Sequence, residues 1–418
     1  MGEVHTILRP RGLRRSRSGA VILKAADETG FAQASTAGID SEWNLLFAAC
    51  SSLPAAEKKS RIQILTQATV RWDTLFHLAE QHGVSCLLYQ SFSSMAEGIP
   101  PAEMRSLRQC YESNLHKVLL TARELIRILD CLDSCAIEVM PYKGLALAEM
   151  LYGDLAARQS GDIDMLIHAR DLARVKDAVH DLGYTTNLML SEKEQRAYLI
   201  SGYECAFDSA AGKNLLEVQW ALQPRFYAVD FDVEAIFQRA VATTVAGREL
   251  RTPSAEDLAL VLSAHAAKHL WTRLIWLCDF ARLMELPEVN WKWIASQARI
   301  LGIVRILRVS LLLTQQLLGV ALPAEIAGET AGDREAQSRA HSIGAQLIQG
   351  SSFPVESWQY FRAELQLRER RRDQARFLWR LALTPGPSEW KSVHLPAPLF
   401  PLYRLIRLSR LAARLTRA

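Results

Sequence analysis

The sequence predicts an α+β fold, a small α/β core between two helical regions, on three observations. Before Ala136 and after Thr252, apolar residues recur at helical spacing. Between these positions the pattern changes to short runs that read as strands. Glycine, proline and asparagine mark the changes of period. The chain has 418 residues, 49% hydrophobic and 22% charged, which is enough apolar material for two or three units.

Residues 1–38 read as a disordered basic leader, with Arg9, Arg11, Arg14, Arg15, Arg17 and Lys24 set against Glu3. Val21-Ile22-Leu23 is too short for the apolar region of a signal peptide. Residues 39–135 form an N-terminal helical region. Ser41 is its first N-cap, and Trp43, Leu46, Phe47 and Cys50 share a face. A longer helix follows from the stripe Tyr111, Leu115, Val118, Ala122, Leu125, Leu129 and Leu132.

The core occupies residues 136–250. Ile137–Met140 reads as a strand, Leu145–Tyr152 as a short helix, and Ile163–His168 as a second strand. Asp171–Leu182 is a helix closed by Gly183. Glu204–Asp208 and Leu215–Trp220 are strands joined by a turn at Ala211-Gly212-Lys213-Asn214. Residues 251–385 form a C-terminal helical domain that starts at the N-cap Ser254, with Asp257 at the capping-box position. Past the Pro385-Gly386-Pro387 break, residues 386–418 form a basic amphipathic tail.

The net charge of +4 is concentrated at the two ends. The body between them is acidic, so no strong nucleic-acid signal remains. No apolar run approaches the roughly 20 residues needed to span a bilayer. Seven cysteines without a Cys-x-x-Cys pair point to a reducing cytoplasm rather than to zinc or a disulfide framework.

Asp162-x-Asp164 starts a predicted strand, where side chains two apart share a face and both carboxylates approach one magnesium ion. A strand ending at Tyr142 precedes Lys143-Gly144, which opens a helix. Exposed amides, a close-approaching backbone and a lysine charge together make a phosphate-binding arrangement. Arg158 is a further candidate phosphate ligand. Glu217 lies in the apolar strand Leu215–Trp220, where an unpaired charge is costly. A metal shared with Asp162 and Asp164 would compensate it, and so would an ion pair with Arg225.

Met140-Pro141-Tyr142-Lys143-Gly144-Leu145-Ala146-Leu147-Ala148, Arg158, Gly161-Asp162-Ile163-Asp164-Met165-Leu166-Ile167, Gly183-Tyr184 and Leu216-Glu217-Val218-Gln219-Trp220 resemble the uncharacterised bacterial nucleotidyltransferase family of the polymerase-beta superfamily. Ala264–His269 and Leu277–Ala281 resemble its following helices. The resemblance implies a mixed-sheet nucleotidyltransferase core and transfer of a nucleoside monophosphate from a nucleoside triphosphate to an acceptor hydroxyl. It also implies magnesium, or alternatively manganese, on Asp162, Asp164 and Glu217; Lys143, Gly144 and Arg158 are the nucleotide-binding candidates from the residues themselves. The superfamily usually has Gly-Gly or Gly-Ser at Lys143-Gly144, and more often has His at Gln219.

Rival expectations are a catalytically silent, antitoxin-like interaction scaffold and a peripheral membrane protein of envelope or surface-polymer assembly. The second uses the basic C-terminal helix, with leucines inward and arginines toward headgroups; packing of that helix against the body, its charge meeting the acidic body or a partner, is the equal alternative. His265 and His269 are expected to line or brace the cleft, Lys268 and Asp279 to form a bracing ion pair, and Trp271, Trp276, Trp291 and Trp293 to lie in the core. Arg368–Asp373 reads as a solvated helix face.

Overall fold

Apolar spacing in the first region resolves into five helices: α1 (Ser41–Cys50), α2 (Ala55–Thr66), α3 (Trp72–Gln81), α4 (Ser85–Ser93) and α5 (Pro101–Ser134). The computed structural model describes residues 40–415 apart from 96–97, 187, 189, 210–211, 352, 355–356 and 394. The basic leader expected at residues 1–38 lies outside them. Helix α1 is buried nearly all round rather than on one face. Its Glu42 carboxylate takes the backbone N–H and the guanidinium of Arg71. Burial of an acid in the first helix is therefore compensated by the residue that opens α3.

The core runs β1 (Val139–Pro141), α6 (Gly144–Tyr152), β2 (Asp162–Ile167), α7 (Leu172–Asp181), β3 (Tyr184–Thr185), α8 (Glu192–Ser201), β4 (Glu204–Ser209) and β5 (Gly212–Gln219). The sheet order is β1-β2-β5-β4-β3. Strands β2 and β5 are parallel and the other neighbours are antiparallel, so the sheet is mixed. Gly212, Lys213 and Asn214 belong to β5 instead of the expected turn, because the β4–β5 pairing extends to Ser209 opposite Gly212.

The strand alternation assigns the two faces of the sheet. Ile163, Met165 and Ile167 of β2, Leu216 and Val218 of β5, and Cys205 and Phe207 of β4 pack with Val118, Ala122, Leu125 and Leu129 of α5 and Val175 and Val179 of α7. The opposite face carries Leu166 in a smaller cluster with Met140, Tyr142, Phe237 and Val261. It also carries Asp162, Asp164, Glu217, Gln219 and Glu204, the polar residues left over by the alternation.

Helix α9 (Val233–Gln238) leads into a hairpin of β6 (Val241–Val245) and β7 (Arg248–Thr252). Its turn residues Ala246 and Gly247 both have positive φ, 49° and 82°, as a two-residue type I′ connection requires. Among the described residues ten α-helices follow: α10 (Ala255–Lys268), α11 (Leu274–Met284), α12 (Trp291–Leu301), α13 (Val304–Leu318), α14 (Ala324–Ala331), α15 (Arg334–Ile348), α16 (Trp358–Gln366), α17 (Arg371–Leu383), α18 (Pro387–Ser392) and α19 (Tyr403–Leu415). Ser254 caps α10 by accepting from the Asp257 N–H, while the Asp257 carboxylate takes the Ser254 hydroxyl and the Arg239 guanidinium. Among the described residues no helix is long and apolar enough to cross a membrane.

Two surface expectations are corrected. Arg368–Asp373 is the junction between α16 and α17, not one solvated face. Arg368 is buried, donates to the Tyr227 carbonyl and faces Glu364 at 3.6 Å. In α19 two arginines turn inward while Arg404 stays exposed: Arg407 donates to the Leu381 carbonyl, and Arg407 and Arg410 pair with buried Glu389. Leu405 and Leu408 are left exposed. The buried acid Glu389 inverts the arrangement expected of a helix lying on headgroups.

Candidate active site

Asp164 of β2 is the register partner of Glu217 of β5, and Asp162 is the partner of Leu215. Parallel neighbours in register point to the same face, so one patch of sheet carries Asp162, Asp164 and Glu217. Asp164 is 5% exposed, and the other two are partly buried.

Lys143-Gly144 lies beside this patch. Gly144 has φ +53°, and a Cβ on it would meet Ser160 Oγ at 3.1 Å and the Asp162 carbonyl at 3.2 Å. Glycine therefore serves both a left-handed turn and a close passage against the strand that bears the aspartates. No side chain caps the start of α6, so its first N–H groups remain as donors for an anion. Lys143 Nζ donates to Asp164 Oδ1 at 3.1 Å and lies 4.9 Å from the Tyr142 ring centre. Burial disfavours its charge, but the Asp164 carboxylate and the Tyr142 hydroxyl outweigh burial and hold Lys143 above the ordinary lysine range.

Gln219 joins the carboxylates. Its carbonyl oxygen accepts from the buried Tyr142 hydroxyl. Its amide reaches Asp164 Oδ1 at 3.3 Å, Glu217 Oε2 at 3.3 Å and Glu204 Oε2 at 3.5 Å. Glu204, the register partner of Gln219, is a fourth acid that the sequence analysis does not single out. Its only signal was the alternation Glu204-Cys205-Ala206-Phe207, and pairing it with Gln219 requires the antiparallel register. Burial first, and then Asp164, Glu204 and Asp162, push the Glu217 carboxyl up to about 8. Burial and Asp164 also raise Asp162.

Arg158 lies on the same side, but its guanidinium is engaged by buried Asp279 of α11, with Nε at 3.0 Å from Oδ1 and 3.1 Å from Oδ2. Tyr152 adds a 2.9 Å hydrogen bond to Oδ1. Asp279 thus braces Arg158, not Lys268 as expected. Lys268, at the end of α10, instead donates to the Tyr203 hydroxyl at 3.3 Å. Burial and then Lys143 lower its affinity for a proton. Glu217 takes the Gln219 amide rather than Arg225, which is exposed at the start of a short 3-10 helix.

His265 and His269 pack against each other and against Trp276, edge-on or tilted, with ring centres 4.9, 5.4 and 5.1 Å apart. Burial, with the charges of Lys143 and Lys268, keeps both imidazoles neutral, His269 down to about 3. Trp271 and Trp291 are core residues. Trp276 is half-buried against the histidines, and Trp293 is half-buried beneath Arg239; they are not core, because each packs on a polar ring or a cation.

Among the described residues no three His, Cys, Asp or Glu side chains close around one point as a ready-made metal cage. The donor set nevertheless fits a hard divalent cation. All of its atoms are carboxylate oxygens, three of the residues share one face by register, and an ammonium already stands on Asp164 where a cation would lie.

Three solved structures are similar to this chain. A crystal structure of ANT(2")-Ia in complex with adenylyl-2"-tobramycin is 15% identical, with 54% of this chain and 98% of that one covered and a TM-score of 0.27. A solution structure of the antibiotic-resistance factor ANT(2'')-Ia is 17% identical over 55% and 96%, with a TM-score of 0.28. An antigenic nucleotidyltransferase-like protein from Paracoccidioides brasiliensis is 17% identical over 52% and 96%, with a TM-score of 0.27. A search among curated proteins finds no match. Residues 68–319 match the model of the uncharacterised nucleotidyltransferase family, a span that holds β1 through α13 and every carboxylate of the site, and the chain belongs to that family.

Proposed function

We propose that this nucleotidyltransferase moves a nucleoside monophosphate from a nucleoside triphosphate to a hydroxyl acceptor with magnesium, or manganese in its place. The observation that carries the reading is the in-register set Asp162, Asp164 and Glu217 beside the uncapped start of α6. When bound, the metal supplies charge neutralisation for phosphate oxygens and a lowered acceptor pKa. Asp162, Asp164 and Glu217 would hold it.

The chain's own residues account for the rest. The α6 amides and Lys143 bind the triphosphate, with Lys143 exchanging its contact with Asp164 for phosphate oxygen. Arg158, fixed by Asp279, adds positive potential without moving. The acceptor oxygen bonds to the α-phosphorus as the bond from that phosphorus to the pyrophosphate oxygen breaks. The electron pair leaves with pyrophosphate, and the hydroxyl proton passes to Glu217, the carboxylate of the pair whose contact is the neutral Gln219 amide and not an ammonium. The seven unpaired cysteines support a cytoplasmic site of action.

The test is incubation of the full chain with each of the four labelled triphosphates, magnesium and host lysate, following label into acceptor. Transfer is expected with the wild type and a loss of at least ~10³-fold with Asp164→Asn. Unchanged transfer by that variant would reject the reading.

A further inference from the structure

A cavity adjoins the carboxylate face, with a volume of about 330 Å3. It lies between the α8–β4 corner, the turn after β5, the end of α10 and the Pro385-Gly386-Pro387 segment. Tyr203 and Lys268, joined at 3.3 Å, form part of its wall. The residue after Tyr203 is Glu204, whose carboxylate meets the same Gln219 amide as Glu217 and Asp164. The cavity therefore approaches the patch where an acceptor hydroxyl would react.

Its walls carry little charge. Tyr198, Tyr203, Phe226 and Tyr227 supply rings, and Pro385 and Pro387 supply flat apolar surface. The acid among the lining residues is Glu389, and it is already matched by the Gly386 N–H at 2.9 Å, Arg410 at 3.2 Å and Arg407 at 3.5 Å. Lys268 and Arg407 leave the lining positive. A polycation would find no unpaired carboxylate here, and a polymer would not fit a volume at the low end for small-molecule sites.

Resting on the proposed transfer reaction, we infer that this cavity is the acceptor site and takes a small, uncharged compound with an aromatic or otherwise flat apolar body and free hydroxyls. The rings pack on its body, and a hydroxyl passes Tyr203 and Lys268 toward Glu217.

Phenyl β-D-glucopyranoside is a suitable probe and glucosamine its cationic counterpart, read by saturation-transfer NMR on the full chain. Binding of a nonhydrolysable triphosphate with magnesium is measured in parallel by calorimetry. The phenyl glucoside is expected to give a signal that falls at least about fivefold in Ser201→Phe, which fills the cavity, and in Phe226→Ala, which removes a wall. Triphosphate affinity should stay within about twofold in both variants, which also shows that they are folded. Equal signal in both variants, no signal in the wild type, or stronger binding of glucosamine by the wild type overturns the inference. Probe binding without triphosphate binding counts instead against the transfer reaction itself.

Discussion

Asp164 and Glu217 face each other across the parallel β2–β5 ladder, the first held by the Lys143 ammonium at 3.1 Å and the second by the neutral Gln219 amide at 3.3 Å. One carboxylate has a cation and its partner does not. In the absence of metal, proton uptake relieves Glu217, and this asymmetry underlies the first prediction.

Glu217 has its proton affinity raised in the fold, from an ordinary 4.5 to about 8. A raised carboxyl favours the folded state fully below about pH 4.5, and that contribution is lost as pH climbs toward 8. Glu217→Gln removes the charge. With solvent screening allowed for, the variant should gain roughly 1–2 kcal/mol over wild type at pH 9 and nothing at pH 4. Urea titrations in chelator at both pH values check this. Magnesium should stabilise the wild type and not the variant, and transfer should be lost.

Lys143→Ala should weaken binding of a magnesium–triphosphate complex by at least about tenfold, because it removes a point charge beside the amides of α6. Calorimetry with a nonhydrolysable triphosphate reads this directly. Unaltered affinity would place the triphosphate elsewhere.

Gly144→Ala forces a side chain onto a residue at φ +53° and against the Asp162 carbonyl. A cost of about 1–2 kcal/mol is expected, with a larger proportional loss in triphosphate affinity than in stability. Thermal melts and the same calorimetry separate the two effects.

Asp279→Asn strands the buried Arg158 guanidinium. Loss of one partner of a buried pair costs about 3–5 kcal/mol, whereas the double replacement Arg158→Met with Asp279→Leu should cost clearly less. Denaturant midpoints of the two variants and the wild type test this, and a single variant as stable as wild type would mean that Arg158 has another anchor.

The fold was largely legible because it rests on period. The stripe from Val118 to Leu132 and the alternation in β2 and β5 predict both the elements and the faces they bury. The aspartates and Glu217 could be grouped because each interrupts an apolar strand. Partnerships set by register and by packing between distant helices were not legible. Glu204 needed its place opposite Gln219, and Asp279 chose Arg158 over Lys268 because α11 presents it to the loop after α6. The inward arginines of α19 follow from Glu389, a buried acid that hydropathy alone would place in solvent.

The parallel pairing of β2 with β5 also bears on how the chain folds. A parallel neighbour cannot be reached by a hairpin, and here α7, β3, α8 and β4 all intervene before Glu217 is delivered beside Asp164. The two halves of the site thus come together through a long-range closure, the slow kind of contact. During synthesis the aspartates emerge well before their partner, so a nascent chain stalled ahead of β5 would display the phosphate-binding turn with an incomplete carboxylate set.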